Sequence, residues 1–119
     1  MKITWTNFAL ESLHEIYNYY KGNVNIRVAN KIRTEIFNSV KQLKAQPNSG
    51  AIEMLLESIN ERHRYLIIGN YKIIYKIVKT NIYITDVFDT RQNPEKLVAN
   101  NSGNFTLNEP NPEYQTYNK

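Results

Sequence analysis

Three consecutive runs rich in isoleucine, valine and tyrosine, Arg62 to Ile68, Tyr71 to Lys79 and Ile82 to Asp89, constrain the fold more than any other feature of the chain. Gly69-Asn70 and Thr80-Asn81 separate them, and gaps this short suit tight hairpins, so the runs should form an antiparallel meander. Side chains alternate across a strand, so pairing Ile68 with Tyr71 across a two-residue turn sorts the first two runs into two faces. His63, Tyr65, Ile67, Lys72, Ile74 and Lys76 share one face, and Arg64, Leu66, Ile68, Tyr71, Ile73, Tyr75 and Ile77 share the other. The second set is the better core. The first reads as a solvated, basic surface.

A small sheet with one apolar face needs a cover, and the N-terminal half supplies it. Residues 2 to 5 are β-branched and aromatic and read as a strand, after which Thr6 or Asn7 can cap a helix by accepting from its first free amides. Ala9, Leu13, Ile16, Tyr17 and Tyr20 then recur at helical spacing, and Gly22-Asn23 breaks the run. A second stripe, Ala29, Ile32, Ile36, Val40 and Leu43, follows with lysines and arginines between its members. Two amphipathic helices joined by a few residues fold back as an antiparallel hairpin. Gln46-Pro47-Asn48-Ser49-Gly50 ends the second helix, since proline lacks an amide and disfavours helical geometry in the residue before it. Ala51 to Glu61 fits either a loop with a helical turn or a short strand.

Composition narrows the chemistry. The 119 residues suit one modest core, so a single domain is expected over residues 1–98. Residues 99–119, rich in asparagine with two prolines and few aliphatic groups, are expected to form a mobile polar tail. There is no cysteine and there are two histidines, His14 and His63, which excludes disulfide scaffolds, thiol catalysis and thiolate zinc sites. No cofactor or metal is expected. No run approaches the roughly 20 apolar residues of a membrane span, and the first residues lack a secretion signal's apolar stretch, so the expected location is the cytoplasm. Residues 62 to 96 hold Arg62, Arg64, Lys72, Lys76, Lys79, Arg91 and Lys96 against Asp86, Asp89 and Glu95, which marks that third of the chain for an anionic or acidic partner.

The order strand, helix, helix, three-strand meander and arginine resembles the RelE/ParE toxin family of type II toxin-antitoxin systems. Four stretches carry the resemblance across about residues 2 to 97: Trp5 before the first helix, Gln46 to Gly50 after the second, Gly69-Asn70-Tyr71-Lys72-Ile73-Ile74-Tyr75, and Asp86-Val87-Phe88-Asp89-Thr90-Arg91-Gln92-Asn93-Pro94. It implies an α+β fold in which the antiparallel two-helix hairpin packs on a small, largely antiparallel sheet. It also implies a toxin held inactive by a cognate antitoxin that wraps the helices and sheet in a hetero-oligomer. Targets divide the family: RelE-like members cleave messenger RNA on the ribosome, and ParE-like members are associated with inhibition of DNA gyrase.

Metal-independent RNA cleavage needs a base for the 2′-hydroxyl, an acid for the departing oxygen and cations for the charge growing on phosphate. The resemblance places His63, Tyr65, Lys72 and Arg91 at the corresponding positions, with Leu97 where RelE-like enzymes carry a tyrosine. The set is incomplete, although a histidine near its normal pKa is a capable acid or base. For target binding the candidates are Arg64, Lys72, Lys76 and Arg91. Arg91 leads them, because it projects from a turn segment behind the last strand, with a pair to Asp89 or Glu95 as the structural alternative. Arg64 can instead serve the fold by reaching a carboxylate or strand carbonyl. His14 lies among the polar positions of the first helix, and Tyr17, Tyr20, Tyr71 and Tyr75 fall on apolar stripes, where packing explains them.

The expected function is a ParE-like, non-enzymatic toxin of the plasmid-stabilisation type that arrests growth by binding a protein target such as DNA gyrase. The alternatives are a RelE-like, ribosome-dependent endoribonuclease acting on mRNA and an inactive relative that only binds antitoxin.

Overall fold

A computed structural model describes residues 1–59, 61–101 and 114–116. The elements are β1 (Lys2–Thr6), α1 (Asn7–Asn23), α2 (Ile26–Lys41), a 3-10 turn (Gln42–Lys44), β2 (Ala51–Ile52), a 3-10 helix (Met54–Ile59), β3 (Arg64–Ile68), β4 (Tyr71–Val78), β5 (Asn81–Asp89), α3 (Pro94–Asn101) and β6 (Tyr114–Thr116). One mixed sheet has the order β2-β3-β4-β5-β1-β6. β1 lies parallel to β5, and the other pairings are antiparallel. This is the expected α+β arrangement.

The helix ends follow their side chains. Thr6 accepts from the Ala9 amide at 3.1 Å and so caps α1, while Asn25 accepts from the Val28 amide at 2.9 Å and caps α2. α1 runs through Gly22 rather than stopping there, and the Asn23 amide side chain donates to the Tyr19 carbonyl at 2.9 Å. Ala9 and Leu13 from α1 and Ile36, Phe37 and Val40 from α2 close over one sheet face, where they meet Trp5, Tyr71, Ile73, Tyr75, Ile82 and Ile84. Trp5 is fully buried, its ring edge-on to Phe37 at 5.1 Å.

The meander forms with the expected register of Ile68 to Tyr71. Its second turn sits one residue earlier than expected: Val78 pairs with Asn81, so Lys79 and Thr80 make the turn, not Thr80 and Asn81. Each two-residue turn needs a left-handed backbone at its first position, φ 57° at Gly69 and φ 57° at Lys79.

The opposite sheet face corrects the expectation of a solvated surface. Leu56, Ile74, Phe88 and Leu97 form a second buried cluster, with Tyr65 and Val98 packed against it. The 3-10 helix after β2 and the unexpected helix α3 cover that face. A β-bulge makes this possible. Ile74 pairs with Asp86 but Tyr75 with Ile84, so Thr85 is an extra residue on β5 and the alternation slips by one. Ile82, Ile84 and Val87 therefore face the helical hairpin, whereas Phe88 joins the second cluster and Asp86 meets α3.

Residues 51–61, left open between loop, helical turn and short strand, contain both the strand β2 and the 3-10 helix. α3 carries residues 99–101, where the polar tail was expected to begin, and β6 carries 114–116 beside β1. The rest of that expected tail, 102–113 and 117–119, lies outside the described residues.

Candidate functional site

Much of the sheet face expected to carry chemistry is covered by its neighbours, with Tyr65 and Lys72 half-buried and Ile67 exposed at its edge. His63 is only 2% exposed, with its Nδ1 3.3 Å from the Glu61 carbonyl. Burial, and then the charge of Lys76, hold its imidazole below the ordinary pKa, so it is neutral at pH 7. Lys76, expected on a solvated face, is 6% exposed and ion-paired with Glu61. Lys72 reaches buried Glu53 at 2.5 Å and lies over the Tyr65 ring, 4.4 Å from its centroid. The two glutamates come from residues 51–61, the stretch whose structure sequence periodicity left open. His63, Tyr65, Lys72 and Lys76 thus do share a face, but as a partly covered cluster whose lysines are ion-paired.

Arg64 takes its structural role. It donates to the carbonyls of Gly50 at 2.7 Å and Asn48 at 3.2 Å. Tyr75 works on the same loop, its hydroxyl donating to the Pro47 carbonyl at 2.8 Å and accepting from the Gly50 amide at 2.9 Å. These bonds explain the Pro47 to Gly50 stretch as a fitted corner over β3 and β4.

Arg91 stands elsewhere. Its guanidinium grips Asp89 through Nε at 2.9 Å and Nη2 at 2.8 Å, and its own amide donates to the same carboxylate at 2.9 Å. The paired guanidinium holds the Asp89 carboxyl below its usual range. The Arg91 side chain remains 58% exposed, so the pair orients the guanidinium without hiding it. It borders a groove of about 550 Å³. Phe8, Ser12, Glu15, Ile16 and Tyr19 of α1 form one wall, Tyr71 and residues 86–89 the floor, and Lys96, Ala99 and Asn100 of α3 the other wall. The groove exists because β1 ends at Thr6, while β5 continues to Asp89.

Asp86 lies beneath this groove and is 1% exposed. Its carboxylate accepts from Asn101 at 3.2 Å and Asn100 at 3.3 Å, and Asn101 also receives the Thr85 hydroxyl at 2.8 Å. Burial pushes the Asp86 carboxyl up to about 6 against these amide bonds. Asp86, Asn100 and Asn101 therefore fasten the end of α3 to β5.

The family model described as ParE toxin of type II toxin-antitoxin system, parDE, matches residues 3–94. The chain belongs to the ParE toxin family. Among solved structures, a chain of the chromosomal ParDE TA system from P. aeruginosa superposes with a TM-score of 0.62 and 24% sequence identity, covering 73% of this chain and 92% of its own. That likeness is one of fold. No curated protein sequence matches.

Within this ParE-family chain, Leu97 stands where the resemblance to RelE-like enzymes would place a tyrosine, and it is fully buried in the second cluster. Sequence reasoning missed Glu53, Glu61, Asp86 and α3. Of these, α3 left a readable mark: Asn93 caps it by accepting from the Glu95 amide at 3.0 Å, and Pro94 takes the first helical position. Among the described residues no cluster of three or more acidic, histidine or cysteine side chains is placed to hold a metal, and no helix is long and apolar enough to cross a membrane.

Proposed function

We propose that this ParE-family toxin acts by binding a protein target, DNA gyrase, with no chemistry of its own, and that a cognate antitoxin neutralises it. The burial of His63 and the ion-pairing of Lys72 and Lys76 on the sheet face carry the reading. A general acid or base must reach the proton it moves, whereas His63 is 2% exposed and Lys72 and Lys76 are engaged by Glu53 and Glu61. Opening that face for RNA would expose the Leu56, Ile74, Phe88 and Leu97 cluster. The α1–α3 groove, with Arg91 at its edge, is then the docking feature, combining an apolar and aromatic wall with an oriented cation. The antitoxin of the toxin-antitoxin hetero-oligomer covers the same groove and thereby arrests the toxin in the cytoplasm, consistent with a fold shared with a ParDE system.

Induction in a bacterium tests the reading. Growth arrest with an SOS response and intact transcripts is expected, and Arg91→Ala should relieve it while the protein stays folded by circular dichroism, with no more than the small stability loss of one exposed ion pair. Ribosome-associated mRNA cleavage that precedes any replication defect would overturn the gyrase assignment.

A further inference from the structure

The positive charge of this chain is not where sequence proximity put it. Lys72 and Lys76 of the meander are matched by Glu53 and Glu61. The stretch from 26 to 44 is different: it holds Arg27, Lys31, Arg33, Lys41 and Lys44 against the single carboxylate of Glu35. Its net charge of four equals the formal +4 of the whole chain, so the remaining residues balance to zero.

Helical spacing aligns these groups. Positions 27, 31, 34, 38 and 41 follow one another by three or four residues and stay on one side of α2 over about 21 Å at 1.5 Å per residue. Arg27, Lys31, Thr34, Asn38 and Lys41 are all exposed, and Lys44 extends the line into the 3-10 turn. Arg33 is turned aside, lying over the Tyr17 ring at 4.5 Å and bonded to Asn30. Among the described residues none of Arg27, Lys31, Lys41 and Lys44 has an ion-pair partner. α2 contributes nothing to the groove beside Arg91, so both surfaces can be occupied at once.

We propose that the outer face of α2 binds the sugar-phosphate backbone of a nucleic-acid duplex. A row of cations interleaved with a hydroxyl and an amide is the chemistry that grips phosphates without reading bases. Single strands are held chiefly by stacking on aromatic rings, and this row has none. The inference stands independently of the gyrase reading: a toxin seated on a protein target that handles duplex would gain a second contact, yet the surface exists whatever the target.

The test is fluorescence anisotropy of the full chain with a labelled 20-base-pair DNA duplex of mixed sequence across a salt series. Each phosphate contact steepens the logarithmic salt slope by about 0.9, so four contacts give about −3.6. The Arg27→Gln/Lys31→Gln/Lys41→Gln/Lys44→Gln variant should bind at least about tenfold more weakly at low salt with a slope near zero. A charge-matched variant, Lys2→Gln/Arg62→Gln/Lys79→Gln/Lys96→Gln, should retain wild-type binding. Equal loss in both variants would reduce the effect to bulk charge and overturn the proposal. So would absent binding, equal affinity for a single strand of the same length, or stronger binding of poly-glutamate than of the duplex. Circular dichroism melts confirm that every variant compared is folded.

Discussion

Asp86 is the residue at which burial and charge conflict most directly. It is 1% exposed, and its carboxyl is pushed up to about 6 from the ordinary 3.8. A folded-state value above the unfolded one means that the neutral form is favoured by folding. This contribution is fully present below about pH 4 and is lost as pH rises through about 6. Two pH units correspond to at most about 3 kcal/mol. Asp89, held low by Arg91, runs the other way: its contribution is present above the unfolded value and is lost on acidification. The difference between wild type and Asp86→Asn isolates the buried group. Denaturant titrations at pH 4.5 and 7.5 should show the variant gaining stability relative to wild type at the higher pH, and parallel profiles would show that Asp86 does not titrate in this range. Gly50 illustrates a steric limit instead. A Cβ there would lie 2.7 Å from the Tyr65 carbonyl oxygen and 2.5 Å from the Tyr75 hydroxyl. Gly50→Ala should therefore lower stability by about 1–3 kcal/mol, measured by the same titration. Neither effect was legible in sequence. Asp86 sits in a strand of alternating character, and only the bulge at Thr85 decides which way it faces. Arg64 was partly legible, since a structural role was one of its two expected readings, although its acceptors are loop carbonyls and not the carboxylate or strand carbonyl expected.

At the scale of elements, the two helices and the meander were readable because each carries a period that repeats several times. The 3.6-residue stripes of α1 and α2 and the alternation in β3 and β4 landed on the faces expected, apart from Tyr17, which lies half-buried under the Arg33 guanidinium instead of in the core. The short pieces were not readable, because two residues of β2 and one 3-10 helix are too brief to show a period. Glu53 lies between those pieces and Glu61 just after them, so the charge state of the sheet face depended on the least legible part of the chain. The β4–β5 turn shows a related competition. Pairing Val78 with Asn81 brings Ile77 opposite Ile82 in the apolar cluster, and it forces Lys79 to φ 57°. A side chain in the left-handed region costs roughly 1 kcal/mol. Lys79→Gly should then raise the denaturation midpoint, or leave it unchanged where the greater freedom of glycine in the unfolded chain offsets the relief. A clear loss of stability would show that the lysine side chain contributes to the turn in another way.

The described residues form one sheet between two cores of unequal size. Among the described residues the hairpin side buries a cluster running from Ile3 to Val87, and the α3 side buries only Leu56, Ile74, Phe88 and Leu97. Local stability follows buried apolar contact, so α3 should open at lower free energy than the central strands. Backbone hydrogen exchange in the folded protein should accordingly show the amides of Val98 to Asn101 exchanging faster than those of Ile73, Tyr75 and Ile82. Leu97→Glu sharpens the comparison by placing a charge in the apolar second cluster, where the lysines of the same sheet face, Lys72 and Lys76, are already paired with Glu53 and Glu61. The helix should then undock and its amides lose protection, while β4 and β5, held by the larger core, remain slow to exchange. If the variant loses protection throughout, the two cores are a single cooperative unit, and α3 is part of the structural minimum of the toxin. If only α3 is released, one wall of the Arg91 groove is removed without unfolding the sheet. The growth phenotype of that variant would then separate binding through the groove from binding through the surfaces that remain.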